Sequence, residues 1–239
     1  MIPKIIHYCW FGGNPLPEEA RRFITGWREK CPDYTIKEWN ESNFDVNAIP
    51  YVREAYEARK WAFVTDYVRL FALYNEGGIY MDTDVEVLKN LDRFLSDEAF
   101  SGFEDEKNVP TGIMGSKAGQ KAVKDMMDAY KDRHFIDSEG NMDMRTNSEV
   151  ITDYFIRSGL VLNNKKQTVN GFTMYPIDYF CPKNSRTLEI MVTENSYTIH
   201  HFSGTWTNGE TNFRRKIKKI LGPKLCTVVV KIMDALHIK

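Results

Sequence analysis

The sequence predicts one mixed α/β domain followed by a helical tail, and three observations carry that prediction. The chain opens with a β-α-β pattern, the usual start of a parallel sheet. Its longest helical stretch stops at Gly77-Gly78 and leads directly into an apolar strand that carries acids. No repeat or low-complexity segment interrupts the 239 residues, a length suited to one domain with a small appendage.

Lys4 to Trp10 reads as a short buried strand, ended by the loop Phe11-Gly12-Gly13-Asn14-Pro15. Leu16 to Lys30 has helical spacing, with Pro17 near its start. Tyr34 to Trp39 alternates as a second strand and is closed by a polar turn at Asn40 to Asn43. Ala55 to Glu76 is the longest helical pattern, with Trp61, Val64, Val68, Phe71 and Ala72 at spacings of three and four. Ile79 to Leu88 follows as a strand. Phe100 to Phe103 and Thr111 to Gly115 are predicted strands, and Ala118 to Lys131 and Glu149 to Ser158 predicted helices. Short strands are expected near Thr173 to Tyr175 and Tyr197 to His201. The domain is bounded at residues 1–212, and 213–239 form the tail, split by Gly222-Pro223 into two helices.

A hydrophobic content of 42% is enough for a real core, and 13% aromatic residues can line pockets as well. Thirty-two basic against 33 acidic side chains leave a net charge of −1, which argues against a nucleic-acid binder. The balance is uneven. From Arg214 to Lys239 eight Lys or Arg face one acid, a surplus of seven, so the first 213 residues stand at −8. Apolar residues interleave with these cations. Such a stretch can dock on anionic lipid or pack on the acidic body with its charges in water. Cys9, Cys31, Cys181 and Cys226 form no CxxC or zinc spacing. Met1-Ile2-Pro3-Lys4 begins no secretory leader, and no run approaches the roughly 20 apolar residues that span a bilayer. A reducing, cytoplasmic location is expected, at the inner membrane face if the tail docks there.

Asp82-Thr83-Asp84 is the most informative feature. Side chains two apart on a strand point the same way. Two carboxylates that close repel unless a hard divalent cation neutralises them, and Mg²⁺ or Mn²⁺ bound so readily bridges to substrate phosphates. Ligands of open α/β sheets bind beyond the carboxyl ends of strands, where this pair would sit. An Asp-x-Asp triplet alone is weak, since a solvated turn produces it often. Here, however, it follows a glycine helix stop and a helix carrying Asp66 and Arg69 among Val64, Val68 and Leu70. Charges on a buried helix need a partner.

The segments Trp61-Ala62-Phe63-Val64-Thr65-Asp66-Tyr67-Val68-Arg69 and Leu73-Tyr74-Asn75-Glu76-Gly77-Gly78-Ile79-Tyr80-Met81-Asp82-Thr83-Asp84 together resemble the signature of glycosyltransferase family 32. The opening Ile2 to Gly13 is similar to that family and to the catalytic domain of clostridial glucosylating toxins. The resemblance covers Ile2 to Phe94, with a weaker match near His200 to Trp206. It implies a GT-A fold, with a Rossmann-like mixed sheet flanked by helices, and transfer of a sugar with retention of configuration. It further implies that Trp10 stacks on the nucleobase, that Asp66 and Arg69 hold the donor sugar and diphosphate beside Tyr80, and that Asp84 ligates the metal. Asp82 would contact ribose, sugar and metal. Asp82, Asp84 and Arg69 are thus the expected catalytic set.

His201-Phe202-Ser203-Gly204 resembles the His-x-x-Gly ligand of glycogenin-like transferases, which makes His201 the third ligand and puts Ser203 and Trp206 on the diphosphate. A nitrogen ligand favours Mn²⁺ over Mg²⁺. Strand alternation leaves His200 as the competing ligand. Where many members carry Gly-Pro before a short helix, this chain reads Arg145-Thr146-Asn147-Ser148-Glu149. That departure leaves any role of Asn147 on the sugar open. The resemblance further implies a nucleotide-sugar donor, with a UDP-sugar favoured, and a glycan or lipid-linked saccharide acceptor, as in capsular polysaccharide synthesis. Two rivals are a metal-dependent nucleotidyltransferase and a non-catalytic nucleotide-sugar-binding module. The first would want a lysine in the Phe11-Gly12-Gly13-Asn14 loop, and the second should have lost part of the Asp66, Arg69, Asp82, Asp84 set.

Overall fold

Seven strands form one mixed sheet in the order β2-β1-β3-β6-β5-β8-β7. They are β1 (Ile5–Cys9), β2 (Thr35–Trp39), β3 (Gly78–Met81), β5 (Ala99–Gly102), β6 (Ile113–Ser116), β7 (Gln167–Val169) and β8 (Phe172–Tyr175). The strand β4 (Val85–Val87) leaves this sheet and pairs antiparallel with β9 (Thr198–His200). The computed structural model describes residues 1–109, 112–204 and 222–232. β1 runs parallel to both β2 and β3, as the β-α-β opening requires, and β6 then inserts antiparallel beside β3.

Alternation along the strands sorts side chains into two cores. Ile6 and Tyr8 of β1, Ile79 and Met81 of β3 and Phe100 of β5 join Phe23, Ile24 and Trp27 of α1 (Glu18–Lys30) in one core. Cys9, Tyr80, Phe172 and Met174 join the other, with α2 (Pro50–Glu57), α3 (Trp61–Glu76), α4 (Lys121–Asp128) and α5 (Asn147–Arg157). In the first core Phe94 is fully buried and its ring meets those of Phe100, Tyr175, Phe180 and Tyr197 at centroid distances of 4.8–5.1 Å. Each such pair adds roughly 0.5–1.5 kcal/mol beyond area burial.

Two predicted elements divide. The pattern from Ala55 to Glu76 is two helices, because Arg59 takes a left-handed φ of 55° between α2 and α3. The predicted strand Ile79 to Leu88 is β3 and β4 with Asp82–Asp84 in the turn between them, closed by the Val85 N–H donating to the Asp82 carbonyl at 3.0 Å. The two aspartates therefore do not owe their shared direction to strand alternation. Gly78 has φ 108°, and a Cβ there would lie 2.7 Å from the Ile5 carbonyl and 2.9 Å from His7 Nε2. That close approach is what the glycine stop provides: it lets β3 pack against β1 directly after α3.

The helix predicted over Ala118 to Lys131 is trimmed to α4, and α5 starts two residues early on a capping box between Thr146 and Glu149. All four cysteines are buried, and Cys9, Cys31 and Cys181 are free thiols. Of the predicted tail, residues 222–232 form a helix, and the remainder lies outside the described residues. Among the described residues no helix is long and apolar enough to cross a membrane.

Candidate active site

Asp82, Asp84 and His200 each present a ligand atom within 4.8 Å of one another. Three pieces of backbone produce this convergence. The β3–β4 turn carries both aspartates, with the Asp82 N–H donating to the Gly112 carbonyl at 2.9 Å. The β4–β9 ribbon sets His200 opposite Val85, one residue beyond Asp84. The buried Trp27 indole N–H donates to the Val85 carbonyl at 2.8 Å and so ties the ribbon to α1.

A cavity of about 550 Å³ surrounds the group. Its lining includes Trp10, Trp61, Asp66, Arg69, Tyr80, Asp82, Asp84 and His200. Glu104, Asp105, Asn147 and Ser148 also line it. Arg69 is buried, 3.3 Å from Asp82 and 3.5 Å from Asp66, and its guanidinium lies 4.5 Å from the centre of the Tyr80 ring. The Tyr80 hydroxyl donates to Asp82 Oδ1 at 2.8 Å. Asp66 and Arg69, three apart on α3, are thus a buried ion pair reaching the turn that carries Asp82 and Asp84.

The two aspartates titrate apart. Burial raises the Asp82 carboxyl above its ordinary value, with Arg69 and His200 pulling the other way. For Asp84 burial is overcome by the His200 imidazole, 3.3 Å away, and by the Ser203 N–H, which donates to Oδ2 at 2.7 Å; its carboxyl is held down at about 2. Burial pushes Asp66 up to about 7 against the pull of Arg69. For His200 burial opposes the charged form, yet Asp84 raises the imidazole well above its ordinary range. One carboxylate held ionised, a second beside it and an imidazole, once its proton is displaced, form an oxygen- and nitrogen-rich donor set that suits a divalent cation.

The structure gathers Trp10, Asp66, Arg69, Tyr80, Asp82 and Asp84 at one cavity. It does not bring His201 there. The His201 ring stacks on Phe23 at 4.8 Å and its Nε2 lies 2.8 Å from Glu86, so neighbouring histidines face opposite ways and His200 joins the aspartates. Ser203 also acts differently from the expected diphosphate contact: its hydroxyl donates to Glu19 at 2.8 Å while its backbone holds Asp84. Trp206 lies outside the described residues. Asn147 is buried at the cavity with its Nδ2 unpartnered. Glu104 and Asp105 escaped the sequence reading. The signal was there, since two acids directly follow the apolar run Phe100 to Phe103, as Asp82 follows Met81.

Parts of the chain match known proteins. Residues 17–101 match the family described as the glycosyltransferase sugar-binding region containing the DXD motif. The chain is 31% identical over 126 residues to inositol phosphoceramide mannosyltransferase 3 of Schizosaccharomyces pombe, covering 49% of this chain and 34% of that protein. It is 32% identical over 127 residues to mannosyl phosphorylinositol ceramide synthase CSH1 of Saccharomyces cerevisiae, covering 50% of this chain and 31% of that protein. The chain thus spans about a third of the length of these two relatives. An uncharacterized glycosyltransferase, L373, of Acanthamoeba polyphaga mimivirus is 26% identical over 77% of this chain and 74% of its own. Among solved structures, the PaToxG glycosyltransferase superposes with a TM-score of 0.53 at 16% identity, over 65% of this chain and 69% of that one. A glycosyltransferase involved in glycosylation of the PBCV-1 major capsid superposes with a TM-score of 0.50 at 12% identity, over 90% and 100%. These likenesses carry the fold, which is GT-A. Site, fold and sequence match agree, and residues 17–101 of the chain carry the DXD-containing sugar-binding region of glycosyltransferases.

Proposed function

We propose that the protein transfers a sugar from a nucleotide-sugar donor to a saccharide or lipid-linked saccharide acceptor, with retention of configuration, using a divalent cation held by Asp82, Asp84 and His200. The convergence of those three side chains in a cavity beside the buried Arg69 carries the reading. When bound, the cation would offset charge building on the leaving nucleoside diphosphate as a Lewis acid. The chain's own residues supply the rest. Arg69 presents a fixed cationic fork toward phosphate oxygens. Trp10 offers an indole face to the base, with its own N–H already donating to the Asn14 carbonyl at 2.6 Å. The Asn147 side-chain amide N–H at the cavity would donate to a sugar hydroxyl oxygen.

The nitrogen ligand favours Mn²⁺ over Mg²⁺. The resemblance around Trp10 favours a UDP-sugar, whereas the names of the fungal relatives, an inositol phosphoceramide mannosyltransferase and a mannosyl phosphorylinositol ceramide synthase, favour mannose as the sugar and a lipid as the acceptor. A panel of nucleotide sugars assayed with wild type and Asp84→Ala decides among these. Release of UDP or GDP, dependent on metal and lost in Asp84→Ala, is expected. Pyrophosphate release would mean a nucleotidyltransferase, and near wild-type transfer by Asp84→Ala would defeat the metal role.

One further observation favours contact with an anionic membrane. The helix over 222–232 exposes Leu225, Val228, Val229 and Ile232 by 40–53% at helical spacing, within a tail carrying a surplus of seven positive charges. Vesicles containing anionic lipid should retain the intact protein and release a variant lacking residues 214–239. Absence of binding by the intact protein would end that idea.

A further inference from the structure

His200 lies between two carboxylates. Its Nε2 is 3.3 Å from Asp84 Oδ1, among the metal-ligand atoms, and its Nδ1 is 3.8 Å from Glu104 Oε1. Nδ1 is buried and has no hydrogen-bond partner. A buried polar group left unpaired costs about 1–3 kcal/mol, so a nearby acceptor should be drawn in. Glu104 is well placed. It lies two residues beyond the end of β5, its side chain is only 16% exposed, and its other oxygen accepts from the Ser148 hydroxyl at 3.2 Å. That anchor leaves Oε1 facing the imidazole. The Cys181 sulfur also borders the ring, but a thiol is a weaker acceptor than a carboxylate. Gly112 confines the ring on another side, since a Cβ there would lie 2.9 Å from Nδ1 and 3.1 Å from Cγ.

We infer that Glu104 is a positioning residue for His200: its carboxylate takes the Nδ1 hydrogen, fixes the ring and presents the Nε2 lone pair to the cation. The inference rests on the metal role proposed for the aspartates and His200. A ligating histidine whose second nitrogen is held by a carboxylate is better oriented and more basic, and losing such a partner typically weakens metal binding about 10–100-fold. Closing the gap requires a shift of only about 1 Å.

The test is Mn²⁺ titration of wild type, Glu104→Gln and Glu104→Ala by electron paramagnetic resonance without substrate, with melting of the metal-free proteins alongside. Glu104→Ala should bind Mn²⁺ about tenfold or more weakly. Glu104→Gln should fall between, because its amide oxygen still accepts a hydrogen bond. A purely structural role would lower metal-free melting and leave Mn²⁺ affinity unchanged. Equal affinity in all three proteins overturns the inference and leaves the metal site standing. No Mn²⁺ binding by wild type overturns the metal site and this inference together.

Discussion

Asp66→Asn should stabilise the empty protein while impairing transfer, and the gain should depend on pH. Asp66 is 6% exposed, with Arg69 at 3.5 Å, and burial lifts its carboxyl from 3.8 to about 7. The folded state therefore holds this proton more tightly than the unfolded chain. The stability it contributes is complete below pH 3.8, falls as pH rises and is gone near pH 7. At about 1.4 kcal/mol for each power of ten in proton affinity, the ionised carboxylate costs roughly 4 kcal/mol above pH 7. Removing one member of a buried ion pair normally costs about 3–5 kcal/mol, because the other charge is orphaned. Arg69 is not orphaned here, since Asp82 stays 3.3 Å away. The burial cost should therefore win, with a net gain of about 2–4 kcal/mol at pH 8 that shrinks toward pH 5. Urea unfolding of metal-free wild type and Asp66→Asn at pH 5, 6.5 and 8 measures this, with turnover followed in parallel. A variant less stable than wild type at pH 8, or a difference that does not change with pH, would refute the reasoning.

Three other outcomes follow from the same geometry. Trp10→Ala should raise the KM for donor by about 5–150-fold, the equivalent of 1–3 kcal/mol of base stacking, with a smaller change in kcat; steady-state kinetics against donor concentration checks it. Gly112→Ala should weaken metal binding while leaving the fold intact, because its Cβ meets the His200 ring at 2.9–3.3 Å; Mn²⁺ titration with circular dichroism separates the two. Phe94→Ala should cost about 3–5 kcal/mol in denaturant unfolding, since it empties the centre of a ring cluster.

Much of the site was legible because its chemistry is concentrated in one contiguous stretch. Asp66, Arg69, Tyr80, Asp82 and Asp84 lie within 19 residues of chain, on a buried helix, a glycine stop and a strand end, so the local pattern singled them out even though the β3–β4 turn, not strand alternation, brings the aspartates together. Glu104 was equally local in character yet passed over, because a pair of acids after a strand looks like any solvated turn until a histidine stands beside it.

The amino-acid sequence by itself determined the fold class, the opening β-α-β unit, the charge pair on α3 and the two aspartates after the third strand, since each depends on side-chain periodicity or on neighbours in the chain. The tertiary structure decided which histidine joins the aspartates and which carboxylate lies beside it. His200 and Asp84 are 116 residues apart in sequence, and only the antiparallel register of β4 with β9 turns one imidazole inward and sends its neighbour to Phe23 and Glu86. A one-residue slip in that register would exchange the two faces, and no local pattern encodes it.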